Sequence, residues 1–135
     1  MTVLREMRAA VGSDVLIGGT GAENRLFGDA RTIYESVIGG NDVLTGGTDA
    51  TNILYGDARE MHDTTKGGND VLTGGGSGSN NDLFGDAYYI MNGSSTGGND
   101  KLTGGTGSYN HLFGDASLMY DLSTGGKDTL TGGAG

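Results

Sequence analysis

Nine aspartates recur at two fixed places along this chain of 135 residues. Asp14, Asp42, Asp70, Asp100 and Asp128 each open the motif Asp-x-Leu-x-Gly-Gly, at intervals of 28, 28, 30 and 28 residues. Asp29, Asp57, Asp86 and Asp115 each sit in a second motif, Leu-aromatic-Gly-Asp-Ala, at intervals of 28, 29 and 29. A repeat that returns one carboxylate per unit is a way to build a column of like charge. Coils stacked at the spacing of hydrogen-bonded strands lie about 4.8 Å apart. Neighbouring carboxylates at that distance repel by about 1 kcal/mol in bulk water and roughly 3.5 kcal/mol at an effective dielectric of 20. A domain stable by about 5–15 kcal/mol cannot carry many such terms without a counter-charge. Basic residues do not provide one: only eight are present, and Arg5, Arg8, Arg25 and Arg31 fall in the first 31 positions. A divalent cation between coils is the economical answer, and carboxylates with corner carbonyls form a hard oxygen site suited to Ca²⁺. Five aspartates leave four gaps, and four Ca²⁺ would take the formal charge from −9 to −1. The competing reading is an Asx-turn, in which each aspartate bonds nearby amides; it weighs more for the Gly-Asp-Ala column, whose three gaps could also take cations.

The elements that position these acids must be short. Each unit carries three apolar marks; in the second they are Leu44, Leu54 and Met61, and Leu72 opens the next. The third mark recurs as Ile33, Met61, Ile90 and Met119. Gly, Asn, Asp, Ser and Thr separate the marks, and no stretch is long enough for a helix within the repeats. The expected fold is all-β: a right-handed parallel β-solenoid of four to five coils, with about 28 residues and three short strands per coil. Alternation points Leu44 inward and Val43 and Thr45 outward. The outward places vary, as in Val15, Val43, Val71, Lys101 and Thr129, while the inward one is always Leu. Asn24, Asn52, Asn81 and Asn110 fall in register and read as an asparagine ladder or, alternatively, as metal ligands. Glu35, Asp63, Asn92 and Asp121 form a looser acidic column expected to be solvated. Residues 1–13 precede the first full coil; Leu4, Met7 and Val11 have helical spacing, which suggests a cap, whereas Arg5-Glu6-Met7 echoes Arg59-Glu60-Met61 and suggests a partial coil. Residues 14–135 form the repeat domain, and its last residues, Gly132 to Gly135, stop in mid-repeat without a cap.

The run Gly39-Gly40-Asn41-Asp42-Val43-Leu44-Thr45-Gly46-Gly47 resembles the haemolysin-type, or repeats-in-toxin (RTX), calcium-binding family, and the runs from Gly67 and Gly97 repeat it. That family's nonapeptide is Gly-Gly-x-Gly-x-Asp-x-Leu-x, and Gly40, Asp42 and Leu44 match its fourth, sixth and eighth places. The resemblance implies Ca²⁺ held between turns by Asp14, Asp42, Asp70, Asp100 and Asp128 with backbone carbonyls. It also implies an extracellular or cell-surface location reached by type I-like secretion, although the C-terminal signal typical of the family is not seen here. The second motif departs from the pattern, with Asn in the aspartate's place, and the 28-residue period differs from the family's 18-residue coil.

Composition narrows the remaining functions. Glycine supplies 29 residues, and proline, cysteine and tryptophan are absent. A net charge of −9 disfavours nucleic acid and anionic membranes, and no apolar run suits membrane insertion. The first ten residues lack the apolar region of a signal peptide. His62 and His111 occupy different repeat positions, and no G-x-S-x-G, H-E-x-x-H or phosphate-loop motif occurs, so an enzyme is not expected. The expectation is a calcium-binding structural repeat module that folds on Ca²⁺ binding. Two alternatives accompany it. One is a self-assembling filament, surface-layer or adhesin subunit that pairs as a homo-oligomer, either through its coil ends or through an outward aromatic ladder of Phe27, Tyr55, Phe84 and Phe113. The other is an ice- or polysaccharide-binding face on the column Ile17, Thr45, Thr73, Thr103 and Thr131.

Overall fold

A computed structural model describes residues 3–8, 11–106 and 109–134. Residues 1, 2, 9 and 10 of the N-terminal segment and Gly135 lie outside the described residues. The chain is an all-β parallel solenoid of about four turns. Each turn visits three sheets. One contains β2 (Val15–Ile17), β5 (Val43–Thr45), β8 (Val71–Thr73), β11 (Lys101–Thr103) and β13 (Thr129–Thr131), stacked in chain order. A second stacks β1 (Val3–Arg8), β3 (Ala22–Phe27), β6 (Thr51–Tyr55), β9 (Asn80–Phe84) and β12 (Tyr109–Phe113). The third joins β4 (Thr32–Ile33), β7 (Ala58–Met61) and β10 (Ala87–Met91). A fourth contact line is a single residue wide: Ile38, Lys66, Thr96 and Thr124 bridge in parallel from coil to coil.

Register places each residue beside its equivalent. Leu16, Leu44, Leu72, Leu102 and Leu130 pair in sequence, as do Leu26, Leu54, Leu83 and Leu112. All but Leu130 meet in one thin core between the first two sheets, in which Leu44, Leu54, Leu72, Leu83 and Leu102 are fully buried. A second cluster, Ile33, Ala58, Met61, Ala87 and Met91, backs the third sheet. Outward places behave as alternation requires: Val15, Val43, Val71, Lys101 and Thr129 are exposed.

Three expectations change. The apolar mark of the third coil is Met91, not Ile90: Met91 pairs with Met61 and is buried, because a β-bulge between Ala87 and Ile90 absorbs one extra residue. At the N-terminus, the helical spacing of Leu4 and Met7 produces no helix, since Val3–Arg8 is a strand parallel to β3. Its Met7 stands opposite Leu26 rather than in line with Met61, so the echo of Arg59-Glu60-Met61 does not set its register. The aromatic ladder is formed but covered: Phe27, Tyr55 and Phe84 are 4%, 5% and 3% exposed, and only Phe113 remains open. Their rings stack along the column with centroids 4.4, 5.8 and 4.8 Å apart, and over the first three coils the ladder itself has no open face for lateral packing.

Glycine at the corners is a packing requirement. A Cβ on Gly68 would overlap the carbonyl oxygen of Gly40 in the previous coil, and the same collision recurs at Gly98 with Gly68. Gly68→Ala therefore separates two coils and is expected to cost more stability than Leu72→Ala, for which a buried large-to-small change predicts about 2–5 kcal/mol. Chemical denaturation of both variants measures the order; equal or smaller loss in Gly68→Ala contradicts the close coil approach.

Candidate functional site

The two aspartate columns lie next to each other inside the solenoid. Asp42, Asp70 and Asp100 are no more than 2% exposed, and Asp29, Asp57 and Asp86 are fully buried. Asp14, Asp115 and Asp128, nearer the two ends, are partly buried. Local structure explains how they come together. The Gly-Asp-Ala aspartate follows a strand of the second sheet and turns its carboxylate across the coil to the glycine corner that precedes the other column. Gly40 N–H donates to Asp29 Oδ2 at 2.9 Å, Gly68 N–H to Asp57 Oδ1 at 3.0 Å, Gly98 N–H to Asp86 Oδ1 at 2.7 Å and Gly126 N–H to Asp115 Oδ1 at 2.5 Å. The first column bonds along the axis. Backbone N–H groups of Asp14, Asp42, Asp70 and Asp100 donate to Oδ1 of the next coil's aspartate, at 2.6, 2.7, 2.8 and 2.8 Å. These bonds run between coils, unlike the local bonds of an Asx-turn.

Asp29 and Asp57 accept through both oxygens, but in four other carboxylates one oxygen is used and the other is stranded. Oδ2 of Asp42, Asp70, Asp86 and Asp100 is buried without any hydrogen-bond partner. In the first column these oxygens face the glycine of the neighbouring motif one coil back: a Cβ on Gly56 would collide with Asp70 Oδ2 and with the carbonyl oxygen of Gly85. Gly56 therefore leaves room for a carboxylate oxygen and a carbonyl oxygen to converge. No lysine or arginine forms an ion pair with either column among the described residues. Nor do three or more His, Cys, Asp or Glu form a group able to hold a metal. Any cation here would draw on one or two carboxylates completed by backbone carbonyls, an all-oxygen donor set that fits Ca²⁺ in type.

The electrostatic consequence is large. Burial, reinforced by neighbouring carboxylates, pushes Asp42 up to about 6, Asp100 to about 7 and Asp70 to about 8. Desolvation also raises Asp57 and Asp86 well above the carboxylate range, and it raises Asp128. Protons or cations must neutralise these groups for the interior to close.

Beside the acids runs the asparagine ladder. Asn24, Asn52 and Asn81 each donate through Nδ2 to Oδ1 of the next coil's asparagine at 2.8 Å. Asn52 also bonds both polar groups of Gly47, at 2.8 and 2.9 Å. The ladder residues are committed to the corner amides and to one another. Sequence reasoning missed a second ladder, in which the amides of Asn69, Asn99 and Lys127 donate to Oδ1 of Asn41, Asn69 and Asn99. Its signal was present in the Gly-Gly-Asn-Asp that recurs before Val43, Val71 and Lys101. The looser acidic column is exposed, as expected, and marks a left-handed turn, with φ of 62°, 64° and 58° at Glu35, Asp63 and Asp121. Its third-coil member is displaced: Gly93 takes the left-handed turn, φ 70°, and Asn92 bonds His62. His111 pairs with Asp82 on another side, so the two histidines do not meet.

No protein-family model matches the chain, and no curated protein or solved structure is significantly similar to it. The likeness to RTX repeats rests on the glycine-aspartate runs themselves.

The raised acid pKa values set the sign of a pH dependence. In chelator, the folded form binds more protons than the unfolded chain between about pH 4, where free carboxylates titrate, and about pH 8. Stability is then fully present below the unfolded pKa and is lost as pH rises through that window. Thermal unfolding followed by circular dichroism in EDTA is expected to show a midpoint that falls as pH rises from about 4.5, until no folded baseline remains near pH 7.5. A rising midpoint contradicts the buried, uncompensated columns.

Proposed function

We propose that this chain is a calcium-binding structural repeat module, not an enzyme, whose folding is coupled to Ca²⁺. The observation that carries the reading is the buried pair of aspartate columns with stranded oxygens on Asp42, Asp70, Asp86 and Asp100 and no basic partner. These four residues would hold the cations, with Asp14, Asp29, Asp57, Asp115 and Asp128 completing the columns. Bound Ca²⁺ supplies the positive charge that the interior lacks. A low-calcium compartment would keep the carboxylates repelling and the chain open, and millimolar calcium outside the cell would close it, which suits a secreted or cell-surface protein. Coupling of this kind follows from a site that exists only in the folded state.

Calcium titration of the chelated protein at pH 7.5, followed by circular dichroism, should produce the β signal cooperatively. The same β signal in excess EDTA refutes the proposal. Asp70→Asn adds a sharper test, because it removes a buried charge and keeps an acceptor for the Asp42 amide. It should stabilise the chelated protein and raise the calcium midpoint on the order of tenfold. Asp63→Asn, at an exposed turn, should do neither.

A further inference from the structure

One break in the regularity of the repeat forms a groove. Between the second and third sheets, on the outer surface of the first three coils, a cleft of about 390 Å³ is lined by Arg25, Arg31 and Arg59 together with Tyr55, Tyr88 and Asp82. Three of the chain's five arginines thus meet on one patch of a protein whose net charge is −9. None of them belongs to the repeat. The column of Arg25 continues as Ile53, Asp82 and His111, and that of Arg31 and Arg59 as Tyr88 and Ser117.

Arg31 and Arg59 occupy successive coils joined by the bond from Arg59 N–H to Arg31 O at 3.0 Å. Their guanidinium groups are like charges one strand apart, the reverse of the aspartate problem. Compensation within the protein is partial. Glu23 holds Arg25 at 2.6 Å, and Glu60 stands 3.8 Å from Arg59, whose guanidinium also lies 5.9 Å from the Tyr89 ring centre. Arg31 has no ion-pair partner among the described residues and is exposed.

The aromatic lining adds to the positive potential. Phe27, Tyr55 and Phe84 spend their ring faces on one another, so the ladder turns ring edges, the electropositive part of the quadrupole, to the groove. The β-bulge in β10 adds the residue that sets Tyr88 edge-on to Phe84 at 4.9 Å, closing one wall. Bulges re-aim side chains in this way beside functional sites.

We propose that this groove binds a tetrahedral oxyanion, a sulfate or phosphate group, between the guanidinium groups of Arg31 and Arg59, with Arg25 and Tyr88 flanking it. Guanidinium forks match such oxygens with paired, charge-assisted hydrogen bonds. The surplus of negative charge elsewhere on the chain favours one compact anionic group over a polyanionic strand. The free ion and an ester on a small carrier share this chemistry.

Isothermal titration in millimolar calcium with sodium sulfate, glucose 6-sulfate and glucose 6-phosphate tests the site. The double variant Arg31→Ser, Arg59→Ser takes the residue that the fourth coil has at Ser117, so it should keep the fold. Binding of at least one probe, weakened at least about tenfold in the double variant and unchanged in Lys101→Thr on the opposite sheet, is the expected result. Preference for sulfate or for its ester then identifies the source. In the unmodified protein, the Nε–H resonances of Arg31 and Arg59 should shift with the same probe. No binding by a protein with its full β signal, or equal binding by the double variant, overturns the proposal.

Discussion

In-register parallel stacking is the constraint from which everything else in this molecule descends. Backbone hydrogen bonds hold each strand beside its counterpart one coil away, so every side chain at a constant position meets its own kind. For leucine that is a benefit, and the core between the first two sheets is two facing files of leucine. Asparagine gains as well, because an amide carries both donor and acceptor and can bond its copy indefinitely. Aspartate alone is put in conflict. It can accept an amide N–H through one oxygen, but a column of ionised copies has no way to satisfy itself. The same geometry that makes the fold cheap to encode makes its interior dependent on something outside the chain.

Much of this was legible in the primary structure, because a repeat is its own alignment. The solenoid, its period, the inward leucines and the asparagine ladder follow from counting intervals and applying alternation. What counting does not give is the third dimension of a coil. Asp29 and Asp42 are separated by a strand, a turn and a glycine corner, and nothing in their spacing says that the two columns share one interior. A hint existed: the glycine that receives Asp29, Asp57 or Asp115 always lies 11 residues further on, and that of Asp86 lies 12. Ile90 misled for a related reason. An inserted residue was absorbed before the apolar mark, as a bulge, so counting forward from Asp86 landed one residue short of Met91. The aromatic ladder was read as outward, which is correct for the strand and wrong for the molecule. Two sheets meeting at an angle can cover an outward face.

Repetition and specificity occupy different parts of the surface. Constant positions supply closure: leucine, glycine, aspartate and asparagine are reused because each coil faces the same packing problem. Variable positions are free of that problem, and on most of the exterior they drift among Val, Lys and Thr. At the arginine groove they do not drift at random. Arginines from two coils, an inserted tyrosine and the edge of the aromatic stack combine into a patch that only one stretch of the solenoid possesses. A uniform scaffold can carry a unique feature in this way without disturbing the ladders that hold it together.

The asparagine ladder has a direction. Each Nδ2 donates toward the C-terminal end and each Oδ1 accepts from the N-terminal side, and the aspartate column runs the same way, with backbone N–H groups donating to the carboxylate that follows. The two ends of the rod are therefore chemically distinct faces, one offering amide hydrogens where the other offers lone pairs. A coil presented upside down would set donor against donor and acceptor against acceptor along both lines at once. The molecule is a vector rather than a bar, and it can be lengthened only head to tail.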